Sequence, residues 1–156
     1  ILKTLTYNVH RNKVILSAVK EELDNGNPCL VFSCSIHHSR LLSAALNYKG
    51  YNSHYIDCKM RKGSRKKTIE AFHKGKLDVL FNYGVLSTGF DAPRIKTVII
   101  TRPTSSIVLY SQMIGRGLRG PLMGGAEICN LVDIKDNFQN FGGVEEVYTF
   151  FENYWK

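Results

Sequence analysis

Short apolar runs alternate with longer stretches of helical period along most of this chain, and that alternation leaves few folds open. Pro28-Cys29-Leu30-Val31-Phe32-Ser33 is an apolar run bounded by turn formers, the pattern of a strand buried on both faces. Ile36 to Tyr48 follows with a helical period, opened by Ser35 as a cap and closed by Gly50. The unit then repeats: Tyr51 to Ile56 predicts a strand, Ser64 to His73 a helix closed by Gly75, and Leu77 to Phe81 a third strand. Ile95 to Thr101 supplies a further apolar strand, Ser106 to Gly115 a helix and Ala126 to Val132 a last strand. This order predicts an α/β fold, a doubly wound, mostly parallel sheet with helices on both faces.

Upstream, Val14 to Leu23 places apolar residues at 14, 15, 18, 19 and 23, a helical period that ends at Asn25-Gly26 and should cover one side of the sheet. Residues 1–13 read as polar and unpatterned, a lead-in to the domain over 14–137. Residues 138–156 read as a helical extension, with helices from Val144 to Trp155 packing at the end. The 156 residues suit one domain that buries roughly two thirds of its unfolded surface. The chain opens on Ile1 and is expected to be a piece of something longer. It shows no internal repeat and no low-complexity tract.

Lys and Arg outnumber Asp and Glu by 21 to 13, a net charge of +8 that favours polyanionic partners without choosing among DNA, RNA and anionic membrane. No apolar run approaches about 18 residues, which argues against a membrane span. Cys29, Cys34, Cys58 and Cys129 form no CxxC pair and lack the histidine spacing of a zinc site. They read as buried free thiols, which fits a reducing cytoplasm. His37 and His38 stand together early in a helix, with no carboxylate or cysteine partner in spacing, and read as surface residues rather than metal ligands.

Two segments carry chemistry. Gln112-Met113-Ile114-Gly115-Arg116-Gly117-Leu118-Arg119-Gly120 puts two arginines three apart and a glutamine four before the first, on one face if helical. Two guanidinium forks and an amide on one face match a phosphate group, and the neighbouring glycines let it approach. The arginines read equally as solvated surface residues, although three glycines weaken a plain helix by about 1 kcal/mol each. Leu86-Ser87-Thr88-Gly89-Phe90-Asp91-Ala92-Pro93 offers a hydroxyl at Thr88, close backbone approach at Gly89 and a carboxylate at Asp91 that can accept from a sugar. Its plainer reading is a polar turn capped by Asp91 and stopped by Pro93. Ser33, the segment 87–91 and the stretch 102–105 all follow predicted strands, and ligands of open α/β sheets sit beyond the carboxyl ends of strands.

The segments 87–93 and 112–119 resemble motifs V and VI of the superfamily 2 helicases; the pattern QxxGRxxR is the specific part. Leu30-Val31-Phe32-Ser33 resembles motif IV, and Arg65 followed by Ile69, Phe72 and Gly75 resembles the helix that precedes the motif V strand. The resemblance runs in order from about residue 13 to residue 136. It implies a RecA-like second motor domain of the P-loop NTPase type. The phosphate loop and the acidic motif would then belong to an N-terminal RecA-like domain of the same chain, which would hold ATP and Mg2+. By that resemblance Arg116 and Arg119 reach the γ-phosphate, Gln112 opens motif VI, Asp91 lies near the ribose, and Ser87, Thr88 and Gly89 lie by the nucleic acid backbone and the inter-domain cleft. Ser33 and Ser35, at a strand end, read most often as helix caps and otherwise as phosphate donors to a nucleic acid.

Within the superfamily, Arg119-Gly120-Pro121, Gly124-Gly125, Leu131-Val132-Asp133 and Asp136-Asn137 are similar to bacterial DNA repair and restriction-type helicases. Motif VI departs from the DEAD-box RNA helicase pattern, with Gln112 in place of histidine and Leu118 in place of glycine. DNA is therefore the expected partner, with RNA possible and no membrane. The basic run Lys59, Arg61, Lys62, Arg65, Lys66 and Lys67 reads either as a solvated helix start or as a phosphate-facing patch. The aromatics of 138–156 read as packing residues before base-stacking ones. A non-catalytic nucleic-acid-binding or scaffold domain of the same fold is the competing expectation. A nucleotide-sugar transferase would need an acceptor-side base or a metal-binding acidic pair, and the sequence offers no pattern for either.

Overall fold

The computed structural model describes residues 2–85, 95–103 and 130–134 of the chain. Cys29–Phe32 (β1), Ser53–Asp57 (β2), Val79–Tyr83 (β3), Thr97–Ile100 (β4) and Asn130–Asp133 (β5) form one sheet, in the order β2-β3-β1-β4-β5. Every pairing is parallel. The helices are Leu2–Thr6 (α1), Val9–Asp24 (α2), Ile36–Tyr48 (α3) and Lys62–His73 (α4). From β1 the chain winds outward to β2, returns through β3, and then crosses to β4 and β5 on the far side of β1. The reversal makes the carboxyl ends of β3, β1 and β4 a topological switch point.

The register explains why the strands read as unbroken apolar runs. Leu30 lies beside Leu80 and Val98, and Val31 beside Phe81 and Ile99. Successive side chains leave a strand on opposite sides. Leu30, Phe32, Leu80, Val98 and Ile100 therefore gather with Ile56 and with Phe72 of α4 on one face. Cys29, Val31, Val79, Phe81 and Ile99 gather with Ile15 and Val19 of α2 and Leu42 and Leu46 of α3 on the other. With both faces covered by helices, neither strand face needs polar residues. Phe72 is fully buried and anchors α4, so its loss to alanine would cost about 3–5 kcal/mol.

Local signals hold where they act between near neighbours. The Ser35 hydroxyl accepts from the His38 amide at 3.0 Å and caps α3 at the residue expected. Gly50, at φ +90°, ends the same helix in the left-handed region that favours glycine. The segment read as polar and unpatterned differs: residues 2–6 are helical, and α2 begins at Val9, several residues before Val14. Asn8 caps it, its side chain accepting from the Arg11 amide at 2.9 Å. Arg11 and Asn12 are buried through hydrogen bonds rather than apolar contact, so no hydrophobic period marks that turn. The helices expected over 106–115 and 144–155 lie outside the described residues.

Candidate functional site

The hydrogen-bonded ladder continues past the strands and brings three exits level. The Ser33 amide donates to the Asn82 carbonyl at 2.9 Å, joining the ends of β1 and β3. The Thr101 amide and hydroxyl both donate to the Phe32 carbonyl, at 3.0 and 2.8 Å, joining the ends of β4 and β1. Beyond β3, the Asn82 side chain grips Val85 from both sides: Nδ2 donates to the Val85 carbonyl at 2.9 Å, and Oδ1 accepts from its amide at 3.2 Å. The turn passes through Gly84 at φ +70°, where an added Cβ would lie 3.4 Å from Cβ and Sγ of Cys58. The chain thus leaves β3 through a fixed turn immediately before Leu86. On the other side of β1, the Arg102 guanidinium sits 5.4 Å from the centre of the Tyr83 ring, within cation–π range.

Behind this edge lies a buried polar network drawn from three helices and two strand exits. Arg11 donates through Nη2 to the Thr101 carbonyl, and its Nη1 lies 3.7 Å from Cys34 Sγ. The Cys34 thiol donates to the same carbonyl at 3.0 Å. His38, with no exposed surface, accepts from the Cys34 amide and is bonded through Nε2 to Asn12 Oδ1 at 2.9 Å. Asn12 Nδ2 donates in turn to the Thr6 carbonyl at 2.9 Å, and the Thr6 and Ser35 hydroxyls share a bond of 2.9 Å. Burial first, and then the Arg11 charge, lower the His38 pKa to about 4, so the imidazole is neutral near pH 7. Burial pushes the Cys34 thiol up, against the pull of Arg11, so it stays protonated.

Of the residues singled out in the sequence, Ser33 stands at the strand-end edge as expected. It is buried, and its hydroxyl has no hydrogen-bond partner among the described residues. Gln112, Arg116, Arg119, Asp91, Gly89, Ser87 and Thr88 lie outside the described residues; the structure fixes only the points of departure, Val85 after β3 and Pro103 after β4. Lys59, Arg61, Lys62, Lys66 and Lys67 are exposed around the carboxyl end of β2 and the start of α4. Arg65 is half-buried, and its Nη2 reaches the Asp57 and Met60 carbonyls at 3.3 Å each. Cys29 and Cys34 are buried free thiols, while Cys58 is exposed, contrary to a uniform buried reading. The expectation of two surface histidines holds at His37 and fails at His38, because the first turn of α3 aims His38 at the exit of β1. Sequence reasoning also passed over Arg11, Asn12 and Tyr83, while Arg102 stands at the strand-end edge where the stretch 102–105 was expected. The available signal for Tyr83 was its position just after the apolar run 77–81.

Among the described residues no three His, Cys, Asp or Glu side chains converge as metal ligands.

Residues 11–120 match the family described as the helicase conserved C-terminal domain. IRC3 of Saccharomyces cerevisiae, which carries the name of an ATP-dependent helicase, is 31% identical over 134 residues, 85% of this chain and 19% of that protein. DDX52 of Mus musculus, which carries the name of an ATP-dependent RNA helicase, is 35% identical over 104 residues, 65% of this chain and 17% of that protein. The solved structure of the Escherichia coli DEAD-box protein SrmB bound to regulator of ribonuclease activity A has the same fold. It superposes with a TM-score of 0.68 at 20% identity, over 96% of this chain and 80% of that one. The chain spans less than a fifth of the length of these two curated relatives.

Proposed function

The chain belongs to the helicase conserved C-terminal domain family, and we propose that it is the C-terminal RecA-like motor domain of an ATP-dependent superfamily 2 helicase or translocase that acts on DNA. One observation carries this reading. The family match runs through Arg119 and takes in both loop segments, while β3 and β4, the strands from which they depart, end level with β1 on one edge of the sheet.

On this reading Arg116 and Arg119 reach across a cleft to the γ-phosphate of ATP held by an N-terminal RecA-like domain of the same protein, which also holds Mg2+. Gln112, Asp91 and Gly89 meet the nucleotide, Asp91 at the ribose. Ser87 and Thr88 meet the nucleic acid backbone, whereas Ser33 is buried at the end of β1 and offers it no exposed hydroxyl. Arginines supplied across a cleft stabilise the charge spread over a transferring phosphoryl group, an effect of about 10³ to 10⁵ in rate in related ATPases. Hydrolysis then requires closure, and the isolated chain is expected to be inactive. A grip on the backbone is independent of sequence and sensitive to salt. The free thiols suit a reducing, cytoplasmic setting. Among the described residues no helix is long and apolar enough to cross a membrane. RNA is the second reading, favoured by the relative that carries the name of an RNA helicase.

The test is ATP hydrolysis by the full-length protein with single-stranded DNA, duplex DNA or RNA, comparing wild type with Arg116→Ala and Arg119→Ala. A loss of about a hundredfold or more with ATP binding retained supports the arginine roles. Unchanged hydrolysis in both variants removes them. A wild type inactive with every nucleic acid leaves the binding or scaffold domain as the account.

A further inference from the structure

We propose that the outer edge of β2 is closed against strand addition by a second copy of the chain, and that Asn47 of α3 is the residue that closes it. β2 ends the sheet on its side, with β3 as its one strand neighbour among the described residues. An edge strand leaves a row of backbone donors and acceptors facing outward, and another strand can pair with them. The register decides which groups these are. β2 and β3 pair in parallel with Ser53 beside Val79, and the Val79 amide donates to the Asn52 carbonyl at 3.3 Å. Backbone groups of successive residues point to opposite sides of a strand, so Asn52, His54 and Ile56 face β3 while Ser53, Tyr55 and Asp57 face outward.

A side chain meets each of these outward residues. Asn47 Oδ1 accepts from the Ser53 amide at 2.8 Å, and Asn47 Nδ2 donates to the Ser53 carbonyl at 3.0 Å. One carboxamide thereby makes the two bonds that a residue of a neighbouring strand would make. The Tyr55 amide donates to His54 Nδ1 at 2.7 Å. The Asp57 carbonyl accepts from the Met60 amide at 3.2 Å and from Arg65 Nη2 at 3.3 Å. α3 is held over this edge by the Ser53 hydroxyl, which donates to the Ser43 hydroxyl at 2.9 Å, and by the Arg40 guanidinium, 5.4 Å from the centre of the Tyr55 ring. Asn47 is exposed on α3, so the packing of the helix does not call for an amide there. A second copy is the occupant that a bare edge would fit, because β2 laid antiparallel on itself is self-complementary. Tyr55 would stand opposite Tyr55 and Ser53 opposite Asp57, with outward groups of one strand facing those of the other.

The experiment compares wild type with Asn47→Ala in the full-length protein, reading mass by sedimentation velocity and hydrogen exchange at the Ser53 amide in the same dilute and concentrated samples. Alanine suits an exposed helix position, so the variant is expected to fold. In dilute solution its Ser53 amide should exchange roughly two- to tenfold faster than in wild type, the effect of one lost hydrogen bond. In concentrated solution its mass should rise towards that of a dimer and the Ser53 amide should become protected again, while wild type shows neither change. A variant that exchanges faster yet keeps the wild-type mass at every concentration overturns the proposal and leaves Asn47 as a tie between α3 and β2. Association with the Ser53 amide still exchanging fast puts the contact elsewhere and overturns it equally. Should Asn47→Ala not fold, Asn47→Ser, which can keep one of the two bonds, carries the same comparison with a weaker association, and a wild-type mass overturns the proposal there too.

Discussion

The backbone amide of Cys34 donates to Nδ1 of His38 at 3.2 Å, and this bond decides the state of the imidazole. Nδ1 must be bare to accept, so the ring proton sits on Nε2 and is donated to Asn12 Oδ1 at 2.9 Å. A second proton would set N–H against N–H inside a buried network that already holds the Arg11 charge.

Stability should therefore fall on mild acidification. The His38 pKa, about 4 when folded against 6.5 ordinarily, is depressed by folding, so the unfolded chain takes up the proton more readily. The contribution is complete above about pH 6.5 and is lost as pH falls towards 4, on the order of 3 kcal/mol over that window. Thermal melts across it should show Tm dropping in wild type and a flatter profile in His38→Gln. Equal slopes in both would contradict the assignment.

Removing the Arg11 charge should raise the His38 pKa without restoring its ordinary value, because burial is the larger cause and remains. An NMR titration of the His38 ring proton in Arg11→Gln measures this. A pKa unchanged from wild type would mean that the guanidinium does not act on the ring.

The thiols should react in a fixed order. Cys58 is exposed, whereas Cys29 and Cys34 are buried, and Cys34 is further held as a thiol by the upward shift of its pKa. Maleimide labelling read by peptide mass should modify Cys58 in the native protein and reach Cys29 and Cys34 only after unfolding. Labelling of Cys34 at the rate of Cys58 would show that the network behind the strand ends opens readily.

Two glycine substitutions should differ in sign. Gly84→Ala meets a φ of +70° and a contact 3.4 Å from Cys58, and should cost about 1–2 kcal/mol. Gly63→Ala in the first turn of α4 meets nothing within 4 Å and should be neutral or stabilising by up to about 1 kcal/mol. Urea denaturation of the two variants makes the comparison, and equal midpoints would refute it.

Lys62 and Lys66 are exposed at the start of α4, on the side of the carboxyl end of β2. If they face a nucleic acid backbone, Lys62→Ala and Lys66→Ala should each reduce the slope of log K against log salt by about one in the full-length protein. An unchanged slope would return them to the role of solvated helix residues.

Part of this architecture was legible before any coordinates. The run from Cys29 to Phe32 reads as a strand because both its faces are covered, and Ser35 and Gly50 mark the ends of α3 through bonds and backbone angles within a few residues of themselves. His38 was misread because a histidine near a helix start carries no sign of what its ring will meet. Arg11 and Asn12 were lost in a segment without apolar period, since polar burial leaves no periodic trace.

By itself the sequence determined the order of the strands with the helices α2 to α4 between and before them, and the α/β class, because periodicity and capping act between residues close along the chain. Only the tertiary structure decided that β1 would stand between β3 and β4, and that Arg11 would meet a carbonyl 90 residues away. Such meetings depend on which strands pair, and pairing is set by the packing of two whole helical layers against one sheet.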